Sequence, residues 1–235
     1  MGVDGRKDVR YAITPRPRVV VEIEGESALF PVNRIYCVAR NYEALARQLG
    51  SDERDPPFFF MKPADALIGG IAAVPYPSNT RDFQHEVELV IAIGLGGANI
   101  PVGRALDHIF GFAVGNDLTR RDRQAELVRK GQPWDLAKAF DRSAQVGKLK
   151  RLDPHMLADA PIWLTVDGEQ RQYARTSEMT WGIAEIISIL SQSFDLQAGD
   201  LIYTGTPAGV GKIEPGQLVV GGIEGLSEIH LKVFE

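Results

Sequence analysis

The sequence contains a single cysteine, Cys37, among 235 residues. One cysteine cannot form an intramolecular disulfide, and it excludes a zinc site built from several thiolates. Because Cys37 lies in an apolar run, we interpret it as a small buried hydrophobic residue rather than a nucleophile. The absence of a disulfide framework is typical of a reducing compartment, so we expect a cytoplasmic protein.

The chain also lacks an apolar stretch of the about 18–20 residues that a membrane-spanning helix requires. Its charged N-terminal segment has no hydrophobic region typical of a secretory signal, and Arg6 occupies the Ser/Thr position of a myristoylation motif. Acidic residues outnumber basic ones by 31 to 26, and the basic residues are interspersed. We therefore expect neither a membrane nor a nucleic-acid partner, but a small-molecule substrate.

Strand patterns outnumber helical patterns and do not alternate regularly with them. Strands are predicted at 19–25, 34–39, 85–94 and 111–118, with a hairpin over 161–172 that turns at Asp167 and Gly168. Helices are predicted over 41–49, 120–130 and 181–194, the second with a capping box of Thr119 and Asp122. The predicted fold class is α+β, dominated by a mixed or mostly antiparallel sheet. We expect an N-terminal arm with short strands at 1–32 and a single metal-dependent catalytic domain at 33–235.

Two of the chain's carboxylates lie close together in "HEVEL". Glu86 and Glu88 are two residues apart in the predicted strand 85–94, which places their side chains on one face. They would repel each other unless a cation lies between them, although the solvent-facing side of a sheet explains them equally well. Asp117 ends another apolar strand, and three carboxylates without cysteine suit Mg²⁺, Mn²⁺ or Ca²⁺. His85 points away from both glutamates by alternation, so we interpret it as structural rather than as a ligand.

Two further segments each leave two interpretations open. The stretch "TGTPAGVG" (204–211) is not a P-loop, because Ile213 occupies the Ser/Thr position that follows Gly-Lys. It is either a turn that presents backbone N–H groups and the Thr206 hydroxyl to an anion, or a plain structural loop. Lys138 in "WDLAKAFD" either neutralises a substrate carboxylate or enolate, or is a surface cation.

Taken in order, seven segments over roughly residues 33–225 resemble the fumarylacetoacetate hydrolase family. They are "IYCVARNY", "FFFMKPADALIGG", "HEVELVIAIG", "GFAVGNDLTRRDRQ", "GQPWDLAKAFD", "LTVDGEQRQ" and "GDLIYTGTPAGVG". Within that family, "FPVNRIYCVARNY" and "PPFFFMKPADA" resemble the bacterial fumarylpyruvate hydrolases of gentisate breakdown most. The resemblance implies a β-rich roll, a homodimer, and one Mg²⁺ or Mn²⁺ held by Glu86, Glu88 and Asp117. It also implies substrate contacts, which come from Arg40, Arg121, Gln124, Lys138 and Thr206.

The family's lid motif is changed in this sequence. Hydrolases of the family usually read "GRNYxxHxxE", and their His and Glu activate the attacking water from a lid helix. Here Leu45 and Gln48 replace that pair, and Ala39 replaces the Gly. Leucine has no basic lone pair, and glutamine can orient a water but cannot take its proton. We expect Leu45 to be core or an apolar lid, and Gln48 to be a catalytic residue that only orients water.

The resemblance and the altered lid leave three functions open. The first is a metal-dependent hydrolase that cleaves the C3–C4 bond of a 2,4-dioxo acid such as fumarylpyruvate, releasing pyruvate as an enolate that Lys138 stabilises. The second is a decarboxylase or keto–enol tautomerase on an acid such as oxaloacetate, which needs no activated hydroxide. The third is a protein that binds 2-oxo acids without turnover.

Overall fold

The computed structural model describes residues 10–42 and 55–235. The strands in these ranges are β1 Val20–Glu22, β2 Leu29–Pro31, β3 Ile35–Ala39, β4 Phe58–Lys62, β5 Leu67–Ile68, β6 Ile71–Pro75, β7 Phe83–His85, β8 Val87–Ile93, β9 Ile109–Asp117, β10 Thr119–Arg120, β11 Ala144–Val146, β12 Pro161–Val166, β13 Glu169–Arg175, β14 Leu201–Tyr203, β15 Gly211–Lys212, β16 Leu218–Ile223 and β17 Ile229–Phe234. The α-helices are α1 Arg121–Arg129, α2 Asp135–Lys138 and α3 Ile183–Ser193. Short 3₁₀ helices span Ala64–Ala66, Val102–His108, Pro154–Leu157 and Thr176–Glu178.

Two sheets form the body of the protein. A seven-stranded sheet has the order β4-β3-β14-β8-β9-β11-β5, and a five-stranded sheet has the order β13-β12-β16-β17-β6. Most neighbours are antiparallel, but β3 and β14, β5 and β11, and β6 and β17 pair in parallel. Smaller sheets join β1 to β2 and β10 to β7 to β15. The fold is therefore β-rich, mixed and poor in helices, as the sequence predicts.

The seven-stranded sheet carries a hydrophobic core on each face, and β8 shows how. Its alternate residues Val87, Leu89, Ile91 and Ile93 join the core shared with the five-stranded sheet and α3. Val90 and Ala92 join a second core, with Cys37 and the apolar residues of β1 and β2. Because every strand of the sheet's centre is covered on both sides, β8 is apolar at nearly every position and is fully buried. Cys37 is 0% exposed, which agrees with its interpretation as a buried hydrophobic residue.

Several local predictions are confirmed. The hairpin of β12 and β13 turns at Asp167 and Gly168, which both have positive φ angles of 51° and 83°. This is the backbone shape that an Asp-Gly turn provides. Helix α3 buries the predicted apolar side, with Ile183, Ile186, Ile187 and Leu190 in the core and Phe194 packed against it. No helix in the described part of the chain is both long and apolar enough to cross a membrane.

Two predicted details are wrong, although the strand and the helix that contain them are present as β8 and α1. The segment 85–94 is not one strand, because Glu86 interrupts it between β7 and β8. The Val87 N–H donates to the Gln172 side chain at 3.2 Å instead of continuing a strand ladder. The capping box is also absent: α1 begins after Arg120, and no side chain caps it. The Thr119 hydroxyl lies 2.9 Å from the Asp117 carbonyl oxygen instead of capping the helix.

The segment before β4 is described only in part. The predicted helix over 41–49 does not include Asn41 or Tyr42, since Tyr42 forms an isolated β-bridge with Met179. The remainder of that prediction, with Glu43, Leu45 and Gln48, lies outside the described residues. Strand β4 lies in an apolar run between Pro57 and Pro63.

Candidate active site

Three buried carboxylates meet at one end of the seven-stranded sheet. Glu88 belongs to β8, Asp117 ends β9, and Glu86 lies in the break between β7 and β8. One ligand oxygen from each of the three lies within 4.8 Å of the others. Glu88 and Asp117 share the alternation of Val90 and Ala113, so they project from the same face of the sheet. A single cation placed between them would contact all three carboxylates.

At the break between β7 and β8, the backbone groups of Glu86 form hydrogen bonds with Asn116 and Asp117. The Glu86 N–H donates to the Asn116 side-chain oxygen at 2.9 Å, and its carbonyl accepts from the Asp117 N–H at 2.9 Å. These bonds satisfy the buried backbone while turning the chain out of β7's sheet. Glu86 therefore reaches Glu88 and Asp117 through an irregular backbone rather than through the regular spacing of one strand.

Glu88 is positioned by the loop that follows β14. The Gly205 N–H donates to Glu88 Oε2 at 2.7 Å. Gly205 has a φ of +95°, and a Cβ there would lie 2.7 Å from the Asn41 Cβ, so no larger residue fits. The stretch 204–211 thus does present a backbone N–H to an anion, but the anion is the protein's own carboxylate.

Lys138 lies among the carboxylates rather than at the surface. Its Nζ is 2.6 Å from Asp117 Oδ2, 2.9 Å from Glu86 Oε2 and 2.7 Å from the Thr119 hydroxyl. Burial acts to lower the pKa of Lys138, but Asp117 and Glu86 outweigh it and raise that pKa. Lys138 is therefore held as a cation, which excludes the surface interpretation of this residue.

The charges of the three carboxylates are unevenly compensated. Burial acts to raise the pKa of Glu86, but Lys138 and Arg121 outweigh it and lower that pKa to about 2. Burial, Asp117 and Glu86 together raise the pKa of Glu88 well above its usual value. No lysine or arginine among the described residues pairs with Glu88, so this carboxylate needs a further cation to be stable when charged. The all-oxygen donor set and the unpaired Glu88 fit a hard divalent cation.

Glu86, Glu88 and Asp117, here called the carboxylate triad, line a cavity of about 440 Å³. The cavity is lined by Val38, Ala39, Arg40, Phe60, Gln84, Glu86, Glu88, Asp117, Arg121, Gln124, Ala125, Val128, Trp134, Lys138, Thr206 and Val210. It thus brings together all the described residues that the sequence assigns to metal or substrate. Gln48, the remaining candidate, lies outside the described residues.

The Thr206 hydroxyl is oriented by a chain of buried polar groups. Gln172 Nε2 donates to Thr206 Oγ1 at 2.8 Å, and Gln172 Oε1 accepts from His85 Nδ1 at 2.9 Å. Because the Thr206 oxygen already accepts a hydrogen bond, its proton is free to donate towards the cavity. Burial lowers the pKa of His85 to about 4, so the ring is neutral. It takes part in the hydrogen bonds that orient Thr206 and not in the carboxylate triad.

The sequence profile described as fumarylacetoacetate (FAA) hydrolase, C-terminal, matches residues 34–234. The chain belongs to the fumarylacetoacetate hydrolase family. Fumarylpyruvate hydrolase from Pseudomonas aeruginosa, crystallised with Mn²⁺ and pyruvate, is 46% identical in sequence, with a TM-score of 0.92 over 96% of this chain and 99% of that one.

Other relatives in the family have different activities. Mitochondrial oxaloacetate tautomerase from Mus musculus is 41% identical over 85% of this chain and 90% of the relative. Mitochondrial oxaloacetate decarboxylase from Dictyostelium discoideum is 36% identical over 82% of this chain and 89% of the relative. Membership of the fumarylacetoacetate hydrolase family therefore indicates an enzyme fold but not one reaction.

Sequence reasoning missed two buried residues that support the site in this family member. Lys62 is 1% exposed, and its Nζ lies 2.7 Å from Asp117 Oδ1. Gln172 is also 1% exposed and connects His85 to Thr206. A lysine directly after the apolar run "FFFM" was a usable signal, because a charge at the end of an apolar strand needs a buried partner. Gln172 gave no such signal, since it lies in a polar, alternating strand.

Proposed function

We propose that the protein is a metal-dependent hydrolase that cleaves the C–C bond of a 2,4-dioxo acid such as fumarylpyruvate. The observation that carries this proposal is the convergence of Glu86, Glu88 and Asp117 with Lys138 and Thr206 in one cavity. The likeness to the fumarylpyruvate hydrolase that was crystallised with Mn²⁺ and pyruvate supports it. The products would be fumarate and pyruvate.

In this proposal Glu86, Glu88 and Asp117 hold one Mg²⁺ or Mn²⁺. The bound ion would supply Lewis-acid polarisation of the 2-oxo group and a template for the substrate. Lys62, Lys138 and Arg121 together balance the summed charge of the three carboxylates, although none of these cations pairs with Glu88. A divalent cation would leave the site with two excess positive charges, which favours an anionic 2-oxo acid over a neutral ketone.

In this proposal, side chains that line the cavity bind the substrate and stabilise its developing negative charge. Lys138 would stabilise the negative charge that develops on the leaving enolate. Thr206 would donate its hydroxyl proton to a substrate oxygen, a role that the hydrogen bond from Gln172 to the Thr206 oxygen supports. Arg121 and Gln124, which line the cavity from α1, would bind a substrate carboxylate, with Arg40 as a further cation. Gln48 would orient the attacking water.

A second reaction, tautomerisation or decarboxylation of oxaloacetate, is favoured by one specific observation. Leu45 and Gln48 stand where family hydrolases have the His and Glu that activate water. Moving a proton between carbon and oxygen, or losing CO₂, needs an electron sink but no hydroxide. The relatives in mouse and Dictyostelium mitochondria carry these activities. The homodimer that the family resemblance implies and the cytoplasmic location that the single cysteine suggests both stay predictions for this chain.

The deciding experiment is product analysis with Mn²⁺ and each of the two substrates. Purified protein is incubated with fumarylpyruvate or oxaloacetate, and fumarate, pyruvate, CO₂ and enol are quantified. Fumarate and pyruvate in equal amounts support the hydrolase, whereas CO₂ or enol loss without fumarate supports the second reaction. Binding without any product contradicts both. Glu88→Gln is the inactive control, and Glu169→Gln, an exposed change on β13, is the matched active control.

A further inference from the structure

Helix α1 presents one continuous face to the cavity, and that face changes from polar to apolar. Arg121, Gln124, Ala125 and Val128 all line the cavity and are spaced as one side of a helix. Arg121 is paired with Glu86, so this end adjoins the carboxylate triad. Val128 lies seven residues further, about 10 Å along the axis at about 1.5 Å per residue. The cavity therefore extends from the triad towards an apolar end.

An aromatic wall runs outward from Lys138. The Lys138 Nζ lies 5.2 Å from the centre of the Phe60 ring, and the Phe60 and Trp134 ring centres are 5.8 Å apart. Phe58 packs edge-on against Trp134, with the ring centres 5.0 Å apart. Phe60 and Trp134 are only partly buried, so their rings present apolar surface to the cavity.

We propose that Phe60, Val128 and Trp134 form an apolar subsite for the acyl tail of the substrate, with Trp134 as the specificity-determining residue. This inference rests on the proposed function, since it places the pyruvoyl part of the substrate at the triad. A four-carbon acid with bonds of about 1.5 Å spans only about 5 Å, which is less than the about 10 Å that separates Arg121 from Val128 along α1. Acylpyruvates with longer, uncharged tails fill the subsite, and oxaloacetate leaves it empty.

The expected size of the preference follows from the surface that the tail buries. Each methylene removed from water contributes about fourfold in binding or in kcat/KM. Extending acetylpyruvate by two methylenes, to butanoylpyruvate, should raise kcat/KM about 15-fold. Uncharged tails are the cleaner probe, because Arg40 also lines the cavity and would attract a terminal carboxylate.

The test compares kcat/KM for acetyl-, butanoyl- and hexanoylpyruvate with saturating Mn²⁺. For the wild type, kcat/KM should rise with tail length. For Trp134→Ala it should be nearly independent of tail length. For Val128→Asp it should fall with tail length, because the substitution places a charge in the subsite. Leu136→Ala is the matched control, because Leu136 is two residues from Trp134 in the sequence and 62% exposed but does not line the cavity. Val128 is 48% exposed, so its substitution tests the subsite even if Trp134→Ala does not fold.

A binding measurement separates this inference from the proposed reaction. Calorimetry with the Mn²⁺-loaded protein compares pyruvate, 2-oxoheptanoate and 2-oxononanoate. The two longer acids match the chain lengths of butanoyl- and hexanoylpyruvate, and all three acids lack the C4 carbonyl and cannot be cleaved. Affinity that rises with length, lost in Trp134→Ala, supports the subsite even if no acylpyruvate is hydrolysed. Hydrolysis at rates independent of tail length, with equal affinities for the three acids, overturns the subsite and leaves the proposed function standing.

Discussion

The Nζ atom of Lys62 lies 2.7 Å from Asp117 Oδ1, and both side chains are buried. The same ammonium donates to the main-chain carbonyls of Leu118 at 3.2 Å and Ser143 at 2.9 Å, and also to that of Lys138. One side chain on β4 therefore ties a candidate metal ligand to the segment that carries the candidate catalytic lysine. A buried cation with four oxygen partners positions the site through its contacts rather than by touching substrate.

Replacing Lys62 by methionine should destabilise the protein strongly. The change roughly keeps the length of the side chain but removes the cation beside Asp117 Oδ1 and one hydrogen-bond donor from each of three carbonyl groups. Removing one partner of a buried ion pair costs about 3–5 kcal/mol. Urea unfolding of the metal-free protein measures this cost. Lys148→Met removes an exposed pair with Glu22 at 2.9 Å and should cost at most about 1 kcal/mol. Equal losses from the two variants would contradict the positioning role.

Glu88→Gln should separate metal binding from stability. The amide removes one negatively charged metal ligand, so the affinity for Mn²⁺ should fall at least about tenfold. A loss of about that size is seen even when the mutated residue only hydrogen-bonds to a metal ligand. The metal-free protein should not lose stability, because a neutral amide is easier to bury beside two carboxylates than a third charge. Calorimetric titration measures the affinity for Mn²⁺, and urea unfolding measures the free energy of unfolding of the metal-free protein. A large loss of stability with unchanged Mn²⁺ affinity would show that Glu88 is structural.

Thr206 provides a test of the hydroxyl that the Gln172 bond orients. Thr206→Val removes the donor while keeping the shape of the side chain, and it should lower kcat by about 10²-fold if that hydroxyl stabilises the developing charge. Thr206→Ser should retain most of the rate, because it retains the hydroxyl. Steady-state kinetics on fumarylpyruvate with saturating Mn²⁺ measures both variants. If the valine and serine variants have the same kcat, the hydroxyl does not act in the transition state.

The sequence predicted which residues meet at the site better than it predicted how they meet. The chemistry of the donor set identified Glu86, Glu88 and Asp117 as neighbours, and the structure places them within reach of one ion. The supporting argument, that both glutamates lie on one strand, was wrong because Asn116 and Asp117 bind the backbone of Glu86. Such tertiary hydrogen bonds are not visible in a pattern of alternating residues.

The β-rich fold and the amphipathic helix α3 were predictable because periodic burial leaves a clear pattern in the sequence. The contacts of Lys62 and Gln172 were not predictable, because each depends on residues more than 30 positions away in the chain. The role of Gly205 was equally hidden. A glycine in a loop predicts a turn, but only the structure shows that the Gly205 N–H donates a hydrogen bond to Glu88.

The lid substitutions provide the sharpest test of which reaction the protein performs. A positioned general base contributes about 10²–10⁴-fold to a hydrolytic rate. With Leu45 and Gln48 in the lid positions, hydrolysis of fumarylpyruvate should be slower than in relatives by that order. The double change Leu45→His, Gln48→Glu should recover part of the deficit, because residues three apart share a face if the segment is helical.

The experiment measures turnover of fumarylpyruvate and oxaloacetate side by side at saturating Mn²⁺. The double variant should gain fumarate production but gain nothing in oxaloacetate tautomerisation, because only hydrolysis uses an activated water. Leu45→His alone is the matched control, since without the glutamate to orient it the imidazole should recover less. A fast wild type that the double change does not accelerate would mean that another residue, with Glu43 the nearest carboxylate in sequence, activates the water.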